Sequence, residues 1–202
     1  GAANDTISTN LNSNSDNRCV IFGDSGVADF DAAGHIERVE TDNGSVGGDD
    51  TIETGLGSDV LVAGLGNDEV DSVGGDNVVI GDTGVAEFLD GTLVSIETTD
   101  TNLGGEDSIK TGAGIDRIFG GGNSDIILSD TFNSDPENTG GADFVVGDGG
   151  KASFENGELR SFESVDISHG GDDEIETGSG GDVAIGGFGS DTIDTSGEVI
   201  NQ

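Results

Sequence analysis

Aspartates recur every ninth residue in three places along the chain: Asp50, Asp59 and Asp68; Asp107, Asp116 and Asp125; Asp173, Asp182 and Asp191. Glycines stand four and two residues ahead of most of them, as Gly55 and Gly57, Gly64 and Gly66, Gly112 and Gly114, Gly178 and Gly180, and Gly187 and Gly189. Two residues after each Asp comes an apolar side chain: Ile52, Leu61, Val70, Ile109, Ile118, Ile127, Ile175 and Ile193, with Val183 displaced by one. Carboxylates at a fixed interval, set among glycines that let carbonyl groups turn inward, form a repeating frame of oxygen donors. Such a frame suits calcium, which takes six to eight oxygens in a forgiving geometry; magnesium demands a tight octahedron. Zinc lacks its preferred Cys and His ligands here.

The elements that must position these donors follow from the same spacing. Each nine-residue unit divides into a glycine-rich turn ending in Asp and a short strand. Successive units turn in opposite directions, so the chain coils with two units per lap and turns eighteen residues apart stack. Asp50 then lies over Asp68, Asp59 over Asn77, Asp107 over Asp125 and Asp173 over Asp191. Two carboxylates and several carbonyls meet between stacked turns. The candidate ligands are the nine aspartates, Asn77 in the aspartate place of its turn, and Asp5 and Asp143 in weaker units. Carbonyl donors are expected from the glycines already named, from Gly48, Gly105, Gly121 and Gly171, and from Asn123, which fills a glycine place. The alternating apolar residues point into the coil and make a thin core.

A longer period contains the short one. GGDDTIETGLGSDV at 47–60 returns as GGEDSIKTGAGIDR at 104–117 and as GGDDEIETGSGGDV at 170–183. The last interval is nine residues longer than the first, and the excess is assigned to Asp130–Thr139, around Pro136. A degenerate copy at 4–14 carries Asn10 and Asn12 in glycine places, and Asn tolerates left-handed backbone better than most residues. The expected organisation is one elongated repeat domain over 1–202, with a degenerate first block 1–46, blocks 47–103 and 104–169, and a partial block 170–202. Each of the first three blocks ends in a second module: VIFGDSG at 20–26, VVIGDTG at 78–84, FVVGDGG at 144–150. Asp90-Gly91 and Asn156-Gly157 are hairpin turns that set Phe88 opposite Leu93 and Phe154 opposite Leu159. A longer turn at 32–34 sets Phe30 opposite Ile36. The hairpins are expected to interrupt the coil, with the best sites inside the runs and weaker joints near Asn77 and Asp143.

Composition alone points to disorder: 42 acidic against 6 basic residues, net charge -36, and 31% hydrophobic residues. The phasing of the acids outweighs that reading, because it places them where cations neutralise them. Six scattered basic residues give no footprint for nucleic acid, and an anionic membrane would repel this surface. No apolar run is long enough to span a bilayer. Cys19, the single cysteine, makes no internal disulfide. No signal-peptide pattern is visible, an observation that fixes no compartment.

The nonapeptide stretches 47–79, 104–128 and 170–195, and more weakly 3–16, resemble the RTX family of haemolysin-type calcium-binding repeats. The resemblance implies a right-handed parallel β-roll, all-β, here with inserted hairpin modules. It implies several calcium ions held by the turn aspartates and glycine-turn carbonyls. It also implies export, of the type I kind, to the extracellular space or cell surface of a bacterium. The hairpins look like the longer composite repeats of very large secreted bacterial proteins. The expected function is a non-catalytic, calcium-binding structural module of an adhesin or surface-layer type, flanked by further repeats of a parent chain. The alternative is the RTX part of a secreted protease, lipase or cytolysin. A third reading, a glycan- or surface-binding module on the hairpins, is disfavoured by the absence of Trp and Tyr. Extracellular calcium modules bind at ~10⁻⁴–10⁻³ M. At tenfold saturation each ion adds ~1.4 kcal/mol, so roughly five ions would match the stability of a whole domain.

Other motifs carry less. Asp24, Asp82 and Asp148 share one slot of the long repeat, followed by Ser, Thr and Gly in turn. That variation reads as a turn rather than a protease nucleophile, with the aspartates as extra ligands or turn caps. His35 and His169 read as surface residues, and no His-Glu-x-x-His pair exists. Asp29, Asp31, Gly34 and Glu40 match EF-hand spacing by coincidence, since Ala33 breaks it and the flanks read as strand.

Overall fold

A computed structural model describes residues 3–9, 18–42, 46–130, 140–165 and 168–196. Its nineteen strands, numbered in chain order, form three sheets. The first holds β1 (Thr6–Ser8), β5 (Thr51–Thr54), β7 (Glu69–Gly74), β11 (Ser108–Ala113), β13 (Ile126–Leu128), β17 (Glu174–Glu176) and β19 (Thr192–Asp194), all parallel. The second holds β2 (Val20–Phe22), β6 (Val60–Val62), β8 (Val78–Ile80), β12 (Arg117–Phe119), β14 (Phe144–Val146) and β18 (Val183–Ile185), also parallel. The chain alternates between these two sheets, so each lap contributes one strand to each, as the nine-residue unit requires. Among the described residues no helix is long and apolar enough to cross a membrane.

The in-phase apolar residues meet between the two sheets. Ile52, Leu61, Val70, Ile109, Ile118, Ile127 and Ile175 are buried in one cluster. Val183 corrects the sequence reading: the inward residue of its strand is Ala184, which pairs with Val145, while Val183 faces outward beside Phe144. Counting two residues past Asp182 gives Ala184, so the phase holds and the small residue takes the core position.

The third sheet is made by the hairpins, β3 (Gly26–Phe30) with β4 (Ile36–Thr41), β9 (Gly84–Leu89) with β10 (Thr92–Thr98), and β15 (Gly150–Glu155) with β16 (Glu158–Ser164). Phe88 faces Leu93, Phe154 faces Leu159 and Phe30 faces Ile36, as expected. Asp90 and Gly91 both have positive φ (51° and 75°), as do Asn156 and Gly157 (55° and 79°), the conformation a two-residue hairpin needs. The EF-hand-like residues belong to the first hairpin, where Asp31 Oδ1 accepts from Ala33 and His35 N–H, both at 2.8 Å.

The hairpins do not interrupt the coil. They leave after β2, β8 and β14, pair with each other through β4–β9 and β10–β15, and cover the outer face of the second sheet. Val60, Val62, Val78, Ile80, Phe119 and Val146 pack there against Val39, Ala86, Phe88, Ile96, Ala152 and Phe154. Strands β7 and β11 pair directly across an inserted hairpin, and so do β8 and β12. The nine additional residues also leave the ladder intact. Phe144 pairs with Arg117 although 27 positions separate them. The excess therefore falls between β13 and β14 in the chain. Most of the segment assigned to it, and Asn10 and Asn12, lie outside the described residues.

Candidate metal centre

Each lap turns at two edges, and an aspartate ladder runs along both. At edge one, where the chain enters the first sheet, each Asp N–H donates to Oδ1 of the next lap's Asp. The series runs from Asp5 to Asp50 (2.7 Å), Asp50 to Asp68 (2.7 Å), Asp68 to Asp107 (2.9 Å), Asp107 to Asp125 (2.8 Å), Asp125 to Asp173 (2.8 Å) and Asp173 to Asp191 (3.1 Å). At edge two Cys19 N–H donates to Asp59 (2.7 Å), Asp59 to Asn77 (3.0 Å), Asn77 to Asp116 (2.9 Å), Asp116 to Asp143 (2.9 Å) and Asp143 to Asp182 (3.0 Å). The four stacked pairs expected from the spacing are all present. The backbone ladder continues unbroken through the expected joints at Asn77 and Asp143.

One carboxylate oxygen per Asp is thus spent on the backbone. The other is the informative one. At edge one, Oδ2 of Asp50, Asp68, Asp107, Asp125 and Asp173 is buried without a hydrogen-bond partner, and at edge two so is Oδ2 of Asp116 and Asp143. A buried, unpaired carboxylate oxygen is expensive, and native proteins seldom leave one without a proton or a cation. Without a cation, burial pushes Asp68 and Asp173 up to about 7. Burial first, and neighbouring carboxylates second, push Asp107 and Asp125 well above the usual range.

Glycine placement completes the cradle. A Cβ on Gly120 would collide with both Asp125 Oδ2 and the Gly147 carbonyl. The same pairing of an Asp Oδ2 with a carbonyl of the adjoining lap recurs at Gly23, Gly81 and Gly147. These glycines keep open the space on which carboxylate and carbonyl oxygens converge. Among the described residues no three His, Cys, Asp or Glu side chains gather to hold a metal. A cation at these turns must therefore complete its shell with carbonyls, which suits calcium and not zinc.

Three segments, residues 46–79, 102–134 and 168–197, match the family model of the RTX calcium-binding nonapeptide repeat, in four copies. These three segments are RTX calcium-binding repeats. RTX repeats bind calcium, and the hairpins β9–β10 and β15–β16 fall between the matched segments. No curated protein and no solved structure matches the chain.

Within the RTX turns, the glycines divide by function. Gly64, Gly66, Gly114, Gly121, Gly178, Gly187 and Gly189 have positive φ, and Asn123 adopts it at 66°. Gly48, Gly55, Gly57, Gly105, Gly112, Gly171 and Gly180 do not. Gly105 illustrates their use: a Cβ there would strike the Gly66 carbonyl of the previous lap. Asn77 differs from the aspartates it replaces. Its Oδ1 accepts from Asp59 N–H, so its amide nitrogen donates to Asp116 Oδ1 (3.0 Å) and to Gly75 O (2.9 Å). An N–H donor there meets the carboxylate that a cation would otherwise neutralise.

Two features escaped the sequence reading. Edge two carries a column of buried hydroxyls, Thr54, Ser72, Thr111, Ser129 and Thr177, each in the unit's first turn position. Thr177 Oγ1 donates to Asp182 Oδ2 (2.9 Å), and the Thr111 and Ser129 hydroxyls ease the charges on Asp116 and Asp143, which burial raises to about 7 and about 6. The second feature is the role of Asp24, Asp82 and Asp148, left open between ligand and cap. They are caps: Asp82 and Asp148 clamp two later turns of edge one, and Asp24 holds one through a single oxygen. Asp82 accepts Gly105 N–H (2.9 Å) on one oxygen and Gly122 N–H (2.6 Å) on the other. Asp148 does the same with Gly171 (2.9 Å) and Phe188, and Asp24 accepts from Leu65 (2.8 Å).

Proposed function

We propose that this chain is a structural module of a secreted or cell-surface bacterial protein, ordered by calcium bound between its stacked RTX turns. The nonapeptide aspartates supply carboxylate oxygens and the turn glycines supply carbonyls, with edge one the principal set of sites. The observation that carries the reading is the row of buried, unpartnered Oδ2 atoms at edge one, those of Asp50, Asp107, Asp125 and Asp173 set against a glycine and a carbonyl of neighbouring laps. A chain of net charge -36 that buries these carboxylates folds at a large electrostatic cost, and divalent cations at the turns remove it. Calcium is scarce inside cells and plentiful outside, so such a module stays unfolded for export and orders on arrival. The regular coil, with three hairpins on one face, suits a spacer or adhesin segment rather than a catalytic one. Calorimetric titration tests the assignment. Several calcium ions per chain, with heat and ordering developing together, are expected; no saturable calcium binding would contradict it.

A further inference from the structure

Asp130 stands at edge two in the place that Asp24, Asp82 and Asp148 hold at edge one. Each follows directly on a strand and one small residue: Ile126-Ile127-Leu128-Ser129-Asp130 beside Val78-Val79-Ile80-Gly81-Asp82. Asp82 and Asp148 use both oxygens to clamp backbone N–H groups of later turns, and Asp24 uses one. Asp130 uses neither. It is 6% exposed, and both of its carboxylate oxygens are buried without a hydrogen-bond partner. The Gly141 N–H eases its charge without closing a bond to either oxygen.

The surroundings of those oxygens repeat the edge-one cradle. A Cβ on Gly140 would collide with Asp130 Oδ2 and with the Ser179 carbonyl of the next lap, just as one on Gly120 would collide with Asp125 Oδ2 and Gly147 O. Asp143 and Asp182 add negative charge nearby. Asp130 holds φ at 59°, an uncommon backbone for a non-glycine residue. No side-chain cation is paired with it among the described residues.

We infer that Asp130 and the Ser179 carbonyl form an additional calcium site at edge two, outside the nonapeptide aspartates. The inference rests on calcium binding by the RTX turns, and it adds a ligand from a position where the repeat pattern carries no aspartate. The chemistry asks for a hard divalent cation, because every donor in view is oxygen.

Native mass spectrometry of the whole chain in calcium tests it. Asp130→Asn keeps the shape and suits the positive φ; Glu158→Gln, on the exposed end of the β15–β16 hairpin and away from both edges, is the control for loss of one charge. The wild-type chain should exceed D130N by one calcium ion, and E158Q should retain the wild-type count. An equal count for D130N and wild type overturns the site. Should D130N fail to fold in calcium, Asp130→Gly, which also suits that backbone, decides by the same count. A wild-type chain that takes up no calcium would instead defeat the proposed function itself, so the two failures are distinguishable.

Discussion

The two edges of the coil carry the same aspartate ladder and differ in what faces the second carboxylate oxygen. At Asp50, Asp107, Asp125 and Asp173 of edge one that oxygen faces a glycine and a carbonyl, and nothing donates to it. At edge two a threonine or serine hydroxyl eases the charge on Asp59, Asp116 and Asp143 and donates to Asp182 Oδ2, although Oδ2 of Asp116 and Asp143 still closes no hydrogen bond; the Asn77 amide adds a donor to the other oxygen, Asp116 Oδ1. A hydroxyl donor stabilises a buried carboxylate without metal, whereas a glycine leaves that task to a metal. The difference teaches that one repeat can serve two purposes. Edge two is partly satisfied by the chain itself, and calcium dependence should concentrate at edge one.

Substitutions at equivalent rungs test that contrast. Asp107→Ala should have the largest effect. It removes a carboxylate from the middle of edge one and leaves the buried Asp68 N–H without its acceptor, which by itself costs about 1–3 kcal/mol. The calcium concentration for half-maximal ordering should rise at least about tenfold, a ~1.4 kcal/mol change. Asp116→Ala at edge two should raise it less. Equal shifts from a calcium titration followed by circular dichroism would erase the distinction between the edges.

The pH response should be intermediate in size and opposite in sign with and without metal. In the metal-free fold, burial raises Asp68, Asp116 and Asp173 to about 7, above their unfolded values. The folded chain then holds more protons than the unfolded one between about pH 4 and 7. Any metal-free order is favoured below the unfolded pKa and lost as pH rises through about 7. In calcium the carboxylates are ionised by the ion, so affinity should rise over the same range. Urea unfolding in chelator at pH 5 and pH 8 checks the first statement: a higher midpoint at pH 8 would be inconsistent with it.

Thr111→Val should have the smallest effect, a loss of about 1 kcal/mol with an unchanged calcium count. A lost ion, counted by mass spectrometry, would make the hydroxyl a ligand and not a substitute for one.

Much of this architecture was legible in the sequence. The nine-residue phase of Asp50, Asp59 and Asp68 fixes the lap and the stacking register, because one turn and one strand fill it. The Asp90-Gly91 and Asn156-Gly157 pairs fix the hairpins for the same local reason. The third sheet was less legible, since its partners are remote in sequence. Its signal lay in Val60-Leu61-Val62 and Val78-Val79-Ile80, where consecutive apolar residues mark a strand buried on both faces. At the site, the ladder aspartates were readable from spacing. Clamping by Asp82 was not, because its partners Gly105 and Gly122 are backbone donors with no side-chain signature. The hydroxyl column was visible as Thr54, Thr111 and Thr177 but has meaning only once the edges are distinguished.

The central claim is that cations at the stacked turns hold this acidic chain in its coil. Far-UV circular dichroism of the whole chain, recorded in calcium, after chelation and after calcium return, tests it most directly. The account predicts β-sheet signal in calcium, its loss on chelation and its recovery on return. A spectrum unchanged through all three steps would contradict it.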